Sequence, residues 1–125
     1  MIKTISTDKA PAAIGPYSQA KVVGDFVFTS GQIAINPATS EVEATTIEGQ
    51  TKQVCENIKN LLEASDSNLE NVVKTTCFLK NMEDFAAFNA IYAEYFTSKP
   101  ARSCVAAKQL PKDVLVEVET IAIVK

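Results

Sequence analysis

The sequence predicts a single α+β domain in which two helices pack on one face of a mixed sheet. With 125 residues, the chain has room for one domain, residues 1–125, and not comfortably for two. Apolar residues make up 46% and charged residues 22%, which are ordinary proportions for a soluble globular protein. Segments with strand and helix patterns follow in the order β-β-β-α-β-α-β-β, without repeats or linkers.

The N-terminal part combines a loop with a β-hairpin. After a short apolar start, two prolines and a glycine fall within six positions, which predicts an ordered loop over residues 1–19. Residues 20–30 have strand-like residues on both sides of Gly24-Asp25, which predicts a hairpin. Residues 31–37 continue in extended form to a Pro-Ala-Thr-Ser turn.

Two later segments predict helices. Thr45 and Glu48 have capping-box spacing, and the apolar residues after them recur at helical period, which predicts a helix over residues 46–64. Asn81 is the expected cap of the second helix, and Pro100 its end. An aromatic stripe marks the core side of that helix: Phe85, Phe88, Tyr92, Tyr95 and Phe96.

The remaining strands are predicted over Val72–Leu79, residues 102–107 and residues 114–124, with a turn over residues 110–113. In the last strand one face carries valines and an alanine, and the other still carries leucine and isoleucine beside two glutamates. Two helices cover only one face, so the second apolar face needs another cover. We infer that subunits bury it against each other; a sheet that curls on itself within one chain is the alternative.

Charge and residue counts exclude several function classes. Twelve Lys+Arg against fifteen Asp+Glu give a net charge of −3 without a basic stripe, which argues against a nucleic-acid partner. The absence of histidine excludes Ser-His and Cys-His nucleophile pairs and histidine-ligated metals. Three widely spaced cysteines indicate reduced thiols, and no run of apolar residues suits a signal peptide or a membrane span. We therefore expect a cytoplasmic protein without a membrane partner.

Seven residues are candidates for chemistry, although each also has an ordinary structural explanation: Tyr17, Ser30, Gly31, Asn89, Arg102, Cys104 and Glu117. Arg102 and Cys104 share strand parity, so both should point to the same side. Cys104 has neither a histidine nor a CxxC partner, which favours a small buried hydrophobe over a reactive thiolate.

Four segments that contain most of these residues resemble the reactive intermediate deaminase A (Rid or YjgF) family. They are Gly15-Pro16-Tyr17-Ser18-Gln19-Ala20, Thr29-Ser30-Gly31-Gln32-Ile33, Pro100-Ala101-Arg102-Ser103-Cys104-Val105, and Leu110-Pro111-Lys112-Asp113 with Val116-Glu117-Val118-Glu119. The resemblance runs nearly end to end, and the Pro-Ala-Arg-Ser-Cys-Val segment is its most specific part. One departure is the link Thr97-Ser98-Lys99, which is at the short end for the family and could alter the pocket rim.

The resemblance implies a chorismate-mutase-like fold and a homotrimer with a site at each subunit interface. It implies 2-iminobutanoate/2-iminopropanoate deaminase activity. The substrates would be 2-enamine and 2-imino acids such as 2-aminoacrylate and 2-aminocrotonate, and the products pyruvate or 2-oxobutanoate and ammonia. Such hydrolysis protects pyridoxal-phosphate enzymes from these intermediates and uses no metal or organic cofactor.

The resemblance also implies residue roles. Arg102 would hold the substrate carboxylate in a bidentate fork, and Glu117 would orient and partly deprotonate the attacking water. Tyr17 would hydrogen-bond to the water or the substrate nitrogen. Backbone groups at Gly31 and Cys104 would contact the substrate, with Ser30 and Asn89 lining the pocket.

We expect one chain to contribute Arg102 and Glu117 to each site and the neighbouring chain to contribute Tyr17.

Two other functions stay open. One is a trimer that binds small carboxylates or 2-oxo acids through Arg102 without turnover. The other, weaker because of the net charge of −3, is a ribonuclease or translation inhibitor.

Overall fold

Eight strands and two α-helices make up the computed structural model, which describes all 125 residues. The strands are β1 (Ile2–Ile5), β2 (Ala20–Val23), β3 (Phe26–Thr29), β4 (Ile35–Asn36), β5 (Glu41–Val42), β6 (Val72–Leu79), β7 (Ala101–Ala106) and β8 (Val116–Ile123). The helices are α1 (Ile47–Ala64) and α2 (Phe85–Tyr95).

One six-stranded sheet, in the order β1-β2-β3-β8-β6-β7, carries the fold. Its neighbours are antiparallel except β6 and β7, which run parallel because α2 lies between them in the chain. The short strands β4 and β5 pair in a separate ribbon. The predicted α+β class with a mixed sheet and two helices is confirmed.

The helix starts differ from the predicted caps. Thr46, not Thr45, is the N-cap of α1, because its hydroxyl accepts a hydrogen bond from the Gly49 N–H at 3.1 Å. The prediction that Asn81 caps α2 is also wrong. A single 3-10 turn over Met82–Asp84 comes first, and the Asn81 side chain makes no capping bond.

The prediction of a loop over residues 1–19 is wrong at its start, where β1 pairs with β2. Only Ile5 of β1 is buried, so the strand shows no alternation of apolar and polar residues. The rest of the segment is a loop that the buried side chain of Gln19 organises. Its amide nitrogen donates to the carbonyl groups of Thr7, Ala10 and Pro11, and its oxygen accepts from the Thr7 N–H at 2.7 Å.

The two helices cover one face of the sheet. There the core consists of residues such as Val27, Cys77, Val116, Val118 and Ala122, all without solvent exposure. This confirms the predicted inner side of the last strand. No helix is both long enough and apolar enough to span a membrane.

The opposite, open face of the sheet is apolar and uncovered within the chain. Val23, Phe26, Phe28 and Ile123 are each 41–44% exposed, and Phe26 lies opposite Ile123 in the register. The edge strands β1 and β7 do not pair with each other, so the sheet does not close on itself. The alternative of a sheet that curls within one chain is therefore wrong.

Candidate active site

Strands β7 and β8 place Arg102 and Glu117 on opposite faces of the same sheet. Arg102 pairs in register with the buried Thr75, so it points to the helix-covered face. Glu117 pairs with Phe78 and lies between the buried Val116 and Val118, so it points to the open face. The expectation that one chain brings Arg102 and Glu117 together is therefore wrong.

Aromatic rings and an amide hold Arg102, the only arginine of the chain. Its guanidinium carbon lies 4.9 Å from the centroid of the Tyr92 ring and 5.4 Å from that of Phe85. Its Nη1 donates to Asn89 Oδ1 at 2.7 Å, and the Tyr92 hydroxyl is itself 2.7 Å from Thr75 Oγ1. Because rings and amide fix one side of the guanidinium, its remaining N–H groups are held in place to bind an anion.

The guanidinium lines a cavity of about 440 Å³, which we call the Arg102 cleft. Its wall is formed by Asn89, Tyr92, Ala93, Phe96, Thr97, Lys99, Pro100 and Arg102. Asn89 thus orients the arginine as well as lining the cavity. Helical periodicity assigned Phe85 and Tyr92 to the core, and no sequence signal indicated that their rings also support Arg102.

A second cavity of about 390 Å³, the Glu117 cleft, contains four of the other candidates. It is lined by Pro11, Ala12, Tyr17, Gln19, Ser30, Gly31, Gln32, Ile33, Ile35, Pro111 and Glu117. Tyr17 therefore shares a cleft with Glu117 of the same chain, and the expectation that it faces the Glu117 of a neighbour is wrong.

The Glu117 carboxylate lies directly against Gly31. A Cβ atom at residue 31 would stand 2.1 Å from Glu117 Oε2, so only glycine leaves room for this carboxylate. Burial raises the pKa of Glu117, and the nearby Glu119 raises it further. A carboxylate with a raised pKa accepts a proton from water more readily than an exposed one.

Ser30 and Tyr17 belong to one loop system. The Ser30 hydroxyl donates to the Ser18 carbonyl at 2.6 Å, and the Ser30 N–H donates to the Gln19 carbonyl at 2.9 Å. These bonds fix the segment that carries Tyr17, whose side chain is 54% exposed. The Ser30 hydroxyl therefore positions the Tyr17 loop at the rim of the Glu117 cleft.

Cys104 lies on the same face as Arg102, as predicted from strand parity, and directly opposite Cys77 in the register. Burial raises the pKa of the Cys104 thiol, and the Arg102 charge lowers it only in part. Burial also raises the pKa of Cys77 to about 12. All three cysteines are free, and their environment favours the thiol over the nucleophilic thiolate. No group of three or more cysteine, aspartate or glutamate side chains is placed to hold a metal ion.

Each chain thus contributes two different clefts. One offers a fixed cation that is hydrogen-bonded to an amide, and the other offers a partly desolvated carboxylate in the same cleft as a tyrosine. Arg102 and Asn89 line the first, and Cys104 lies on the same face of the sheet as Arg102. Tyr17, Ser30, Gly31 and Glu117 belong to the second.

Comparison with known proteins gives a consistent result over the whole chain. Residues 7–124 match the family model Ribonuc_L-PSP, described as endoribonuclease L-PSP. A RutC family protein of Pyrococcus horikoshii is 54% identical, with 98% of each chain covered. The 2-iminobutanoate/2-iminopropanoate deaminase of Escherichia coli K12 is 48% identical, also with 98% of each chain covered. The crystal structure of Escherichia coli TdcF with bound serine is 40% identical, has a TM-score of 0.93, and covers 98% of this chain and 99% of its own.

A family model that spans nearly the entire chain, and relatives of about 50% identity over the same length, confirm the resemblance seen in the four motifs. The chain belongs to the Ribonuc_L-PSP family, the family of the Rid and YjgF deaminases.

Proposed function

We propose that this protein hydrolyses the reactive 2-enamine acids 2-aminoacrylate and 2-aminocrotonate, together with their 2-imino tautomers, to pyruvate or 2-oxobutanoate and ammonia. The observation that carries the proposal is the division of one fixed cation and one partly desolvated carboxylate between two clefts of the chain. A 2-imino acid needs a cation to bind its carboxylate and a base to activate the water that attacks its electrophilic carbon. The proposal includes protection of pyridoxal-phosphate enzymes in the cytoplasm from these intermediates.

The two clefts meet only when two copies of the chain associate. Because they are different surfaces on opposite faces of the sheet, an interface that joins them is heterologous, and a finite assembly of this kind is a closed ring. A homotrimer, with the Arg102 cleft of each copy against the Glu117 cleft of the next, meets this requirement. The exposed Phe26, Phe28 and Ile123 of the open face supply apolar surface for such an interface.

The reaction then proceeds without a cofactor. Arg102 binds the substrate carboxylate through the N–H groups that Asn89 does not occupy. Glu117 takes a proton from a water molecule, whose oxygen forms a bond to the imine carbon and gives a carbinolamine. Proton transfer to nitrogen breaks the C–N bond, so the products are a 2-oxo acid and ammonia.

Tyr17 and two backbone segments complete the proposed site. The Tyr17 hydroxyl lies in the same cleft as Glu117 and suits a hydrogen bond to the water or to the substrate nitrogen. Backbone groups at Gly31 and Cys104 contact the substrate from the two sides. The Cys104 thiol has no role in this mechanism, since its pKa is raised.

Two findings on relatives support the proposal. A deaminase name belongs to a protein of 48% identity over the same length, and TdcF holds serine, which presents a carboxylate beside an amine-bearing carbon. Other relatives are named by family or as a regulator, as are the RutC family protein of Pyrococcus horikoshii and AldR of Lactococcus lactis. The family model's endoribonuclease name fits this chain less well, because a net charge of −3 and a single arginine suit a small anion better than RNA.

The first experiment separates catalysis from binding. Threonine dehydratase releases the four-carbon imine, and substoichiometric amounts of this protein should accelerate formation of 2-oxobutanoate over many turnovers. A protein that only binds 2-oxo acids would not change the rate at such amounts. The serine-derived imine is followed in parallel.

The second experiment tests the division of the site. Arg102→Ala and Glu117→Gln chains, each inactive alone, are coexpressed with different tags, and the mixed oligomer is purified through both. Every ring of three that contains both chains has an intact Arg102–Glu117 pair at one interface in three. Activity near that fraction of wild type supports the proposal. Mixed oligomers as inactive as their parents would show that the two residues do not act across an interface.

A further inference from the structure

The Arg102 cleft contains a second cation that the proposed reaction does not use. Lys99 lines the same cavity as Arg102, and no aspartate or glutamate lines it. The one ion pair of the chain joins Lys80 to Asp113, so neither cation of the cleft has a carboxylate partner. Two unpaired cations in one cavity favour a ligand with two negative groups.

The backbone under Lys99 is fixed. The Lys99 N–H donates to the Phe96 carbonyl at 3.2 Å, Phe96 is buried, and Pro100 follows. Lys99 itself has a φ of 56°, a left-handed conformation that glycine or asparagine adopts more readily than lysine. The short link therefore fixes the backbone of Lys99 at the rim of the cleft, in a turn of defined geometry, and the side chain extends from there.

Part of the wall of the Arg102 cleft is apolar. Ala93, Phe96 and Pro100 line it, and Thr97 at the rim uses its hydroxyl to bind Glu70. The volume of about 440 Å³ lies in the range of pockets for drug-sized ligands and far exceeds that of a four-carbon imino acid. A substrate whose carboxylate sits on Arg102 thus has room to extend along methylene groups toward Lys99.

We propose that the cleft accepts dicarboxylic 2-imino acids, those derived from aspartate and glutamate, and that Lys99 binds their distal carboxylate. This inference rests on the proposed function and assigns its substrate class. The reaction stays the same: water adds to the imine carbon, the C–N bond breaks, and a dicarboxylic 2-oxo acid and ammonia form. Lys99 is a specificity-determining residue and takes no part in proton transfer.

The test compares substrates within one protein. Amino acid oxidases generate the imines of 2-aminobutanoate, aspartate and glutamate in situ, and kcat/KM is measured for wild type, Lys99→Gln and Lys52→Gln. Lys52 is an exposed lysine of α1 outside the cleft, so its variant controls for net charge. Glutamine at residue 99 keeps the same backbone strain.

We expect Lys99→Gln to lower kcat/KM for the dicarboxylic imines about fivefold, the effect of one solvent-accessible ion pair, and to leave the monocarboxylic imine within twofold. Lys99→Glu should lower the dicarboxylic value further. Lys52→Gln should change neither. Equal losses for both substrate classes, or no dicarboxylic turnover by wild type beside normal monocarboxylic turnover, would overturn the inference.

A binding measurement separates this inference from the deaminase proposal. Calorimetry with 2-oxoglutarate and 2-oxobutanoate reports affinity whether or not the protein turns over imines. Weaker binding of 2-oxoglutarate alone in Lys99→Gln supports the second cation site. Absence of monocarboxylic turnover refutes the deaminase proposal, whereas equal affinities in wild type and Lys99→Gln refute the role of Lys99.

Discussion

A methyl group at residue 31 is the sharpest perturbation of the proposed site. In Gly31→Ala the new Cβ would stand 2.1 Å from Oε2 of Glu117 and 2.9 Å from its Cδ. Ordinary contacts begin at 3.4 Å, so the carboxylate must retreat by about 1 Å. Because the end of a half-exposed glutamate can rotate, we expect the protein to keep its fold and assembly.

The expected loss is in turnover. A displacement of 1 Å in a positioned catalytic group can cost about 10²-fold, so kcat for the four-carbon imine should fall by roughly that factor. KM should change less, since Arg102 lies on the other face of the sheet. The coupled dehydratase assay measures both constants.

Two variants make the test specific. Gly24→Ala is the matched control: its φ of 58° strains any side chain, but nothing lies within 4 Å of the added Cβ. It should lower stability and leave kcat unchanged. Glu117→Asp shortens the carboxylate by one methylene, so Gly31→Ala should cost less kcat in that background. If Gly31→Ala alone retains near wild-type kcat as an intact oligomer, Glu117 does not position the water.

Three further outcomes follow from the same geometry. Arg102→Ala removes both charge-assisted hydrogen bonds, at roughly 1.5–3 kcal/mol each, so kcat/KM should fall about 10²–10⁴-fold. Arg102→Lys keeps the charge but loses the planar fork, so it should retain only a small part of the activity; wild-type activity in either variant would contradict carboxylate binding by Arg102. Asn89→Ala removes the partner of Nη1, so KM should rise about tenfold or more, with little further loss when combined with Arg102→Ala. The raised pKa of Glu117 means that the free energy of unfolding falls as pH rises from 4.5 through the folded-state pKa, so Glu117→Gln should raise Tm at neutral pH while turnover is lost. Because Glu119 contributes to the raised pKa, Glu119→Gln should move the acid limb of the kcat/KM profile to lower pH. A lower Tm for Glu117→Gln, or an unmoved acid limb, would contradict this.

The strands and helices were predictable where the local pattern is strong. Residues 72–79 are rich in β-branched side chains and form a strand with the predicted ends. The apolar period of α1 predicted its buried face, although the cap is one residue later. Strand β1 was not predictable from its pattern, because a short edge strand with one buried residue shows no period of two.

The sequence indicated which residues belong to the site better than it indicated how they divide between the two clefts. Strand parity correctly placed Arg102 and Cys104 on one side, because side chains alternate within a strand. The relation of that side to the face of Glu117 depends on the pairing of β7, β6 and β8, which are far apart in sequence. A local pattern contains no information on that register, so the same-chain pairing of Arg102 and Glu117 was wrong.

The open face of the sheet carries both the apolar patch and the Glu117 carboxylate. Glu117 points to the same face as Phe28 and Ile123, and its pKa is already raised in the single chain. A second copy that covers this face would remove more water from the carboxylate and raise its pKa further, whereas the cation of the Arg102 cleft that it brings would lower the pKa. Because a bound substrate carboxylate offsets the charge of Arg102, the apolar contact in the proposed assembly would make Glu117 a stronger base in the complex with substrate. An isolated chain would lack both the added desolvation and the cation, so we expect dissociation to remove turnover even when every chain remains folded.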